Sequence, residues 1–233
     1  MCTVTFVPIK SGFIFTSNRD EKINRPTISP KIYEDLHYKL MYPKDKKAGG
    51  TWIVAKNDGT CIVLLNGAFE KHQLKANYTR SRGKVLMEMI ASANPIKHFS
   101  SIILKGVEPF TLIVFQNNKL MELKWDEIEK YAIPHTTTEA HIWSSSTLYN
   151  LEQRNLRKLW FENYKQKNAP ISPEDTLYFH KNTHPENENY GLVINRDNSI
   201  KTVSITQLFS QNNKIELTYV DMNNNEKTEK LAF

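Results

Sequence analysis

Cys2 stands second in the chain, so removal of Met1 would leave a thiol and a free α-amine on one residue. The polar run Ser17-Asn18-Arg19-Asp20-Glu21 follows one strand and turn later. A free α-amine titrates at about 7.7–8.0 and a cysteine thiol at about 8.5, so near neutrality the amine can accept the thiol proton. The thiolate so formed is the nucleophile. The small cysteine side chain suits removal of the initiator methionine. If Cys2 heads strand one and Arg19 and Asp20 lie just past strand two of the same hairpin, both charges can fold back beside it. Asp20 would then hydrogen-bond the amine and orient it, while Arg19 would lower the thiol pKa and attract an anionic group. The same run also suits a capped turn carrying a surface ion pair.

Acyl transfer further requires donors aimed at the developing oxyanion. Asn66 ends the apolar run Cys61-Ile62-Val63-Leu64-Leu65 and precedes Gly67. Its amide can donate into a pocket at a strand end, or it can simply form an Asn-Gly turn. His72, His135, His141, His180 and His184 are dispersed, and His180 with His184 has an i,i+4 spacing. Pro185 follows at once and no third ligand is placed, so the pair reads as a loop edge and no metal site is expected. The chain has no phosphate-binding glycine loop, paired-cysteine motif or His-Glu-x-x-His helix.

The elements that must position these residues are strands first, helices second and strands again. Thr3 to Val7 and Phe13 to Thr16 predict a hairpin around Lys10-Ser11-Gly12. Trp52 to Lys56 and Thr60 to Leu65 predict another across Asn57-Asp58-Gly59, whose Asp-Gly pair supplies the left-handed turn. Residues 26–48, with Pro26, Pro30 and Pro43, read as an irregular segment. Helices are predicted over Arg82 to Ala93, stopped by Asn94-Pro95, and from Ile96 to Leu104. Strands follow at Thr111–Gln116 and Lys119–Trp125. The helix Leu151 to Gln166 is expected to turn Leu151, Leu156, Leu159 and Trp160 inward, with Arg154, Arg157 and Lys158 partly outward. Ser172 should cap a helix from Pro173 to Lys181. Strands Lys201–Thr206, Lys214–Asp221 and Glu226–Ala232 close the chain. This order gives an α+β class with packed layers. No repeat or linker divides the chain, so residues 1–233 read as a single domain.

Composition narrows the class. With 233 residues, 39% of them hydrophobic and 11% aromatic, the chain can bury a sizeable core. No stretch approaches the roughly 18 uncharged apolar residues of a membrane span, and no charged leader precedes an apolar run, so no integral membrane association and a cytoplasmic location are expected. Cys2 and Cys61 form no disulfide framework, and Cys61 should pack as a small core residue. The net charge is +6 and the pI near 9.1. The lysines are scattered, however, so no nucleic-acid partner is expected and an anionic small molecule fits better.

Met1-Cys2-Thr3-Val4, Ser17–Glu21, Arg25-Pro26, Gly49-Gly50-Thr51-Trp52, Asn66-Gly67 and Ser81-Arg82-Gly83, in this order, resemble the NRDE family, also called the transport and Golgi organisation protein 2 family. The resemblance is dense over residues 1–90 and traceable to the C-terminus. It implies an N-terminal nucleophile hydrolase-like αββα four-layer sandwich, a topology that periodicity alone does not select. In the related choloylglycine hydrolases and penicillin acylases a similarly placed arginine and aspartate accompany an N-terminal cysteine. The resemblance therefore implies a catalytic set of Cys2, Arg19, Asp20, Asn66 and Ser145, with Asn18, Glu21, Trp52, Arg82 and Lys201 toward substrate. Two positions depart from the pattern. Ser145, within His141-Ile142-Trp143-Ser144-Ser145-Ser146-Thr147, stands where an asparagine donor is expected, and Lys201 is the nearest match to a late arginine. The implied reaction is hydrolysis of a non-peptide C–N amide or related acyl bond of a small molecule, with no cofactor required. The alternative is a non-catalytic carrier of haem, acyl-CoA or lipid on the same fold, with haem as a ligand.

Overall fold

In the computed structural model, which describes residues 3–35, 37–224 and 226–233, the chain runs through fourteen strands and four helices among the described residues. In chain order these are β1 (Thr3–Ile9), β2 (Gly12–Lys22), β3 (Thr27–Glu34), β4 (Lys39–Asp45), β5 (Ile53–Lys56), β6 (Cys61–Asn66), α1 (Arg82–Ala91), α2 (Pro95–Ser101), β7 (Phe110–Gln116), β8 (Lys119–Trp125), β9 (Lys130–His135), β10 (His141–Ser144), α3 (Leu151–Asn168), α4 (Pro173–Asn182), β11 (Asn195–Arg196), β12 (Ile200–Gln211), β13 (Lys214–Asp221) and β14 (Lys227–Ala232). Every pairing between named strands is antiparallel, in two seven-stranded sheets. The chain divides into two units, each containing one sheet. Among the described residues no helix is long and apolar enough to cross a membrane.

The first unit comprises the chain up to Arg25, Thr138–Ser144 and Tyr149–Phe233. Its sheet has the order β10-β1-β2-β12-β13-β14, with β11 on β12. Alternation along β1 and β2 sorts their side chains by face. Val7 and Ile14 meet Phe161 of α3 and Phe179 of α4 in one apolar cluster with Ile142 and Leu192. Phe6, Phe13 and Phe15 pack ring to ring on the opposite face. The predicted strand from Phe13 to Thr16 extends to Lys22, because β12 pairs with β2 along its full length, from Gln211 opposite Gly12 to Ile200 opposite Lys22. Ser17–Glu21 is therefore strand rather than a turn beyond it.

The second unit, Pro26–Thr137 with Ser145–Leu148, holds a meander of strands β3 to β9 in sequence order. The apolar run Cys61–Leu65 is wholly buried, Cys61 among it. The Asn57–Gly59 turn forms as expected, with Gly59 at φ +89°. Residues 26–48 are not irregular: they form β3 and β4. Their prolines are accommodated because β3 is an edge strand and Pro30 and Pro43 fall where the β3–β4 register shifts between Ile28 and Lys31. Neither then has to donate to a regular ladder.

Helix α3 departs most from its prediction. Its buried residues are Arg157 and Phe161, whereas Leu151 is 65% and Leu159 54% exposed. His180 is likewise no loop-edge residue: it lies in the last turn of α4, fully buried. Both reversals have one cause, which is the polar content of the sheet end that these helices cover.

Candidate active site

The charged end of β2 is buried within the first unit. Arg19 and Asp20 are 2% and 3% exposed. Thr3 is the residue directly after Cys2 in sequence, and it pairs with Asn18, so Arg19 and Asp20 are the next two residues along the adjoining strand. Met1 and Cys2, and with Cys2 the expected nucleophile, lie outside the described residues.

Asp20 accepts two hydroxyl hydrogen bonds. Tyr149 Oη donates to Oδ2 at 2.7 Å and Thr202 Oγ1 to Oδ1 at 2.6 Å. The Thr202 hydroxyl in turn accepts from the Ile194 N–H at 2.9 Å, which aims its hydrogen at the carboxylate. A register shift between Thr202 and Ser204 on β12 keeps Thr202 opposite Asp20 and brings Ser204 opposite Arg19. On the same strand Arg19 Nη1 donates to the Arg25 carbonyl at 3.3 Å, and Glu21 pairs with Arg25 at 3.0 Å. Lys201, opposite Glu21, is half-buried.

Asn18 is wholly internal. Its Nδ2 donates to the carbonyls of His180 at 3.1 Å and Leu192 at 2.6 Å. Both amide hydrogens being spent, Oδ1 must accept, so His180 carries its proton on Nδ1 and donates it to Asn18. Nε2 is then the acceptor for Thr5 Oγ1 at 2.8 Å. Burial, reinforced by the nearby Arg157 charge, pushes the His180 pKa down to about 3, so the imidazole is neutral in this arrangement. The expected role of Asn18 toward substrate gives way to a structural one, since its amide is consumed in joining β2 to α4.

Arg157 is the group that periodicity misassigned. Fully buried, it donates from Nη1 to Thr3 Oγ1, from Nη2 to the Gly191 carbonyl at 2.5 Å and from Nε to the Tyr190 carbonyl at 3.2 Å. Its guanidinium carbon lies 3.5 Å from the centroid of the Tyr149 ring. Among the described residues it has no carboxylate partner. Dipoles and a π face replace the counter-ion.

The remaining expected residues belong to the second unit. Asn66 ends β6, half-buried, and Gly67 follows at φ +81°. A Cβ on Gly67 would come within 2.3 Å of Ser146 Oγ, so the turn requires glycine. Ser145 Oγ donates to the Asn66 carbonyl at 2.8 Å and shares a second bond of 2.8 Å with Thr147 Oγ1. With its hydrogen given to Asn66, the Ser145 hydroxyl fixes the strand end rather than serving as the oxyanion donor expected from its position. Trp52 is buried immediately before β5. Arg82 opens α1 and pairs with Glu108 at 3.1 Å. Gly50 approaches Gly83 so closely that a Cβ would sit 2.5 Å from the Gly83 carbonyl carbon, which seats the start of α1 against the loop entering β5. These contacts bring Asn66 together with Ser145, and Arg82 together with Glu108.

Tyr149, Thr202 and Arg157 complete the surroundings of Asp20 and Thr3. Thr202 follows Lys201, a residue already singled out, and Tyr149 immediately precedes the N-cap Asn150. Only the helical alignment of Arg157 with Phe161 and Tyr164 could have marked Arg157.

Solved structures with this architecture define the class. The conjugated bile acid hydrolase of Clostridium perfringens, as a variant with alanine replacing its second-position cysteine, superposes with a TM-score of 0.59 at 10% identity, covering 100% of this chain and 96% of that one. A Caenorhabditis elegans N-acylethanolamine-hydrolyzing acid amidase ortholog gives 0.58 at 13% identity, covering 89% and 92%. A second variant of the Clostridium enzyme gives 0.52 at 9% identity, covering 100% and 96%. The fold is that of the N-terminal nucleophile hydrolases. No curated protein sequence matches the chain. The family described as Transport and Golgi organisation 2 matches residues 1–227, and the chain belongs to it.

Proposed function

We propose that this protein is a cysteine N-terminal nucleophile hydrolase acting on a non-peptide amide or related acyl bond of a small, preferably anionic, molecule. The observation that carries the reading is the buried Arg19-Asp20 step on β2, one and two residues past the ladder partner of Thr3, the residue that follows Cys2. Burying two charges is costly unless they are paired and hydrogen-bonded. Asp20 is fixed by two hydroxyl donors. The hydrolytic activities named for the bile acid hydrolase and the acylethanolamine amidase, together with the second-position cysteine of the former, support the same chemistry.

In this mechanism the Cys2 α-amine takes the thiol proton and the thiolate sulfur attacks the acyl carbon. The tetrahedral intermediate collapses, breaking the C–N bond. The leaving amine takes the proton back from the α-ammonium. Water, deprotonated by the α-amine, then cleaves the thioester and releases the acid and the free thiol. Asp20 orients the amine and Arg19 stabilises negative charge at the thiolate or on the substrate. By the family resemblance Asn66 is proposed as the side-chain oxyanion donor, and Ser145 bonds its backbone carbonyl. Trp52, Arg82, Glu21 and Lys201 are proposed to act toward substrate, and the protein is proposed to be cytoplasmic.

Intact mass before and after exposure to a thiol-selective acylating reagent, on wild type and Cys2→Ala, tests the proposal. Loss of Met1, Cys2-dependent acylation and release of the acyl group as acid are expected. Retained Met1 with no turnover, accompanied by saturable binding in a haem titration, would overturn it in favour of the non-catalytic carrier.

A further inference from the structure

Two buried side chains outside the proposed catalytic set converge on it. Tyr149 places its hydroxyl on Asp20 and its ring against Arg157. Arg157 places a guanidinium nitrogen on Thr3, next in sequence to Cys2. Its two other donors grip the Tyr190 and Gly191 carbonyls, in a segment already tied to β2 through the bond from Asn18 to the Leu192 carbonyl. One helix residue thus touches the segment that follows the nucleophile and the ring whose hydroxyl holds its orienting carboxylate.

We propose that Arg157 and Tyr149 are positioning residues for the N-terminal amine, Arg157 clamping the head of β1 at Thr3 and Tyr149 fixing the Asp20 carboxylate. This rests on the reading of Cys2 as an N-terminal nucleophile. A cation on the face of a phenol withdraws electron density from the ring, which makes the hydroxyl a stronger donor. Arg157 therefore acts on Asp20 through Tyr149 without touching it. Arg196 on β11 adds a second cation 5.2 Å from the ring centroid, and neutral His180 on α4 contributes no charge. Arg19 and Glu21 flank Asp20 on its own strand. The Thr202 hydroxyl supports the other carboxylate oxygen independently.

The experiment reads the amine itself. In a Cys2→Ala background, which removes the thiol and its coupled titration, competitive labelling of the α-amine across pH gives its midpoint. Removing the Tyr149 donor leaves Asp20 a stronger acceptor for the α-ammonium. Tyr149→Phe should therefore raise the midpoint by roughly half a pH unit or more. Arg157→Met should raise it less. In the Tyr149→Phe background the Arg157→Met increment should shrink, because the path through the hydroxyl is gone. Tyr149→Phe keeps the ring and the Arg157 contact, so it remains informative if Arg157→Met does not fold. Loss of thermal stability with an unmoved midpoint would leave both residues purely structural and overturn the proposal, while Cys2-dependent acylation by wild type could still stand. An N-terminus that retains methionine would overturn the hydrolase reading and this inference together.

Discussion

Helices α1 and α3 have opposite relations to their own sequences. Helix α1 buries Val85, Leu86, Met89 and Ile90, the four residues its apolar periodicity selects. Helix α3 carries comparable leucines yet exposes Leu151 and Leu159 and buries Arg157. What each helix covers decides the difference. Helix α1 packs against β6, whose run Cys61–Leu65 offers hydrocarbon, so burial of apolar area settles its orientation. Helix α3 covers a sheet end that presents a threonine hydroxyl, two loop carbonyls and a tyrosine ring. Leaving those acceptors unsatisfied would cost more than exposing two leucines.

The largest test of this contrast is Arg157→Leu, which restores the apolar pattern and strands two buried acceptors, Thr3 Oγ1 and the Gly191 carbonyl, besides the part-buried Tyr190 carbonyl. At about 1–3 kcal/mol for each of the two buried groups, a loss of roughly 2–6 kcal/mol is expected by urea unfolding. Unchanged stability would show that the polar contacts do not orient the helix. On the apolar side, Leu86→Ala in α1 should cost about 2–5 kcal/mol through lost transfer energy and cavity formation. A cost below 1 kcal/mol would place α1 off the core.

A smaller effect distinguishes the two regions by pH. Folded His180 stays neutral down to about pH 3, whereas the unfolded residue takes up a proton near 6.5. Between those values the unfolded state binds more protons. The His180 contribution is therefore complete above pH 6.5 and is lost as pH falls toward 3, at up to about 1.4 kcal/mol per pH unit. Comparing unfolding at pH 7 and 5 for wild type and His180→Gln should show the slope shrinking in the variant. In that range Glu122 does not interfere: burial would raise its carboxyl, but the hydrogen bond with His135 and the Lys124 charge outweigh it and hold the pKa near 2. The smallest effect belongs to Leu159→Lys, which should change stability by less than about 0.5 kcal/mol. A loss above 2 kcal/mol would mean that this face of α3 is covered in solution.

Most of the fold was legible where one physical term dominated. The Asn57–Gly59 turn and the cap at Ser172 are local, and they form where composition places them. Strand β9 was missed because its residues are half-buried or exposed and supply little alternation. Strands β3 and β4 were missed because proline normally argues against a strand, and only the partner register reveals that Pro30 and Pro43 share one irregularity. For the candidate site, the motif drew attention to Arg19 and Asp20. Tyr149, Thr202 and Arg157 reach Thr3 and Asp20 from far along the chain, and no local pattern encodes that meeting.

Prolines at the sheet margins bear on how the second sheet meets other molecules. Its two terminal strands, β3 and β9, carry Pro30 and Pro134, and a proline offers an incoming strand no N–H. Each margin is thereby interrupted as a template for strand addition, which lowers the tendency of a sheet rich in Ile, Val and Leu to recruit further copies into edge-to-edge aggregates.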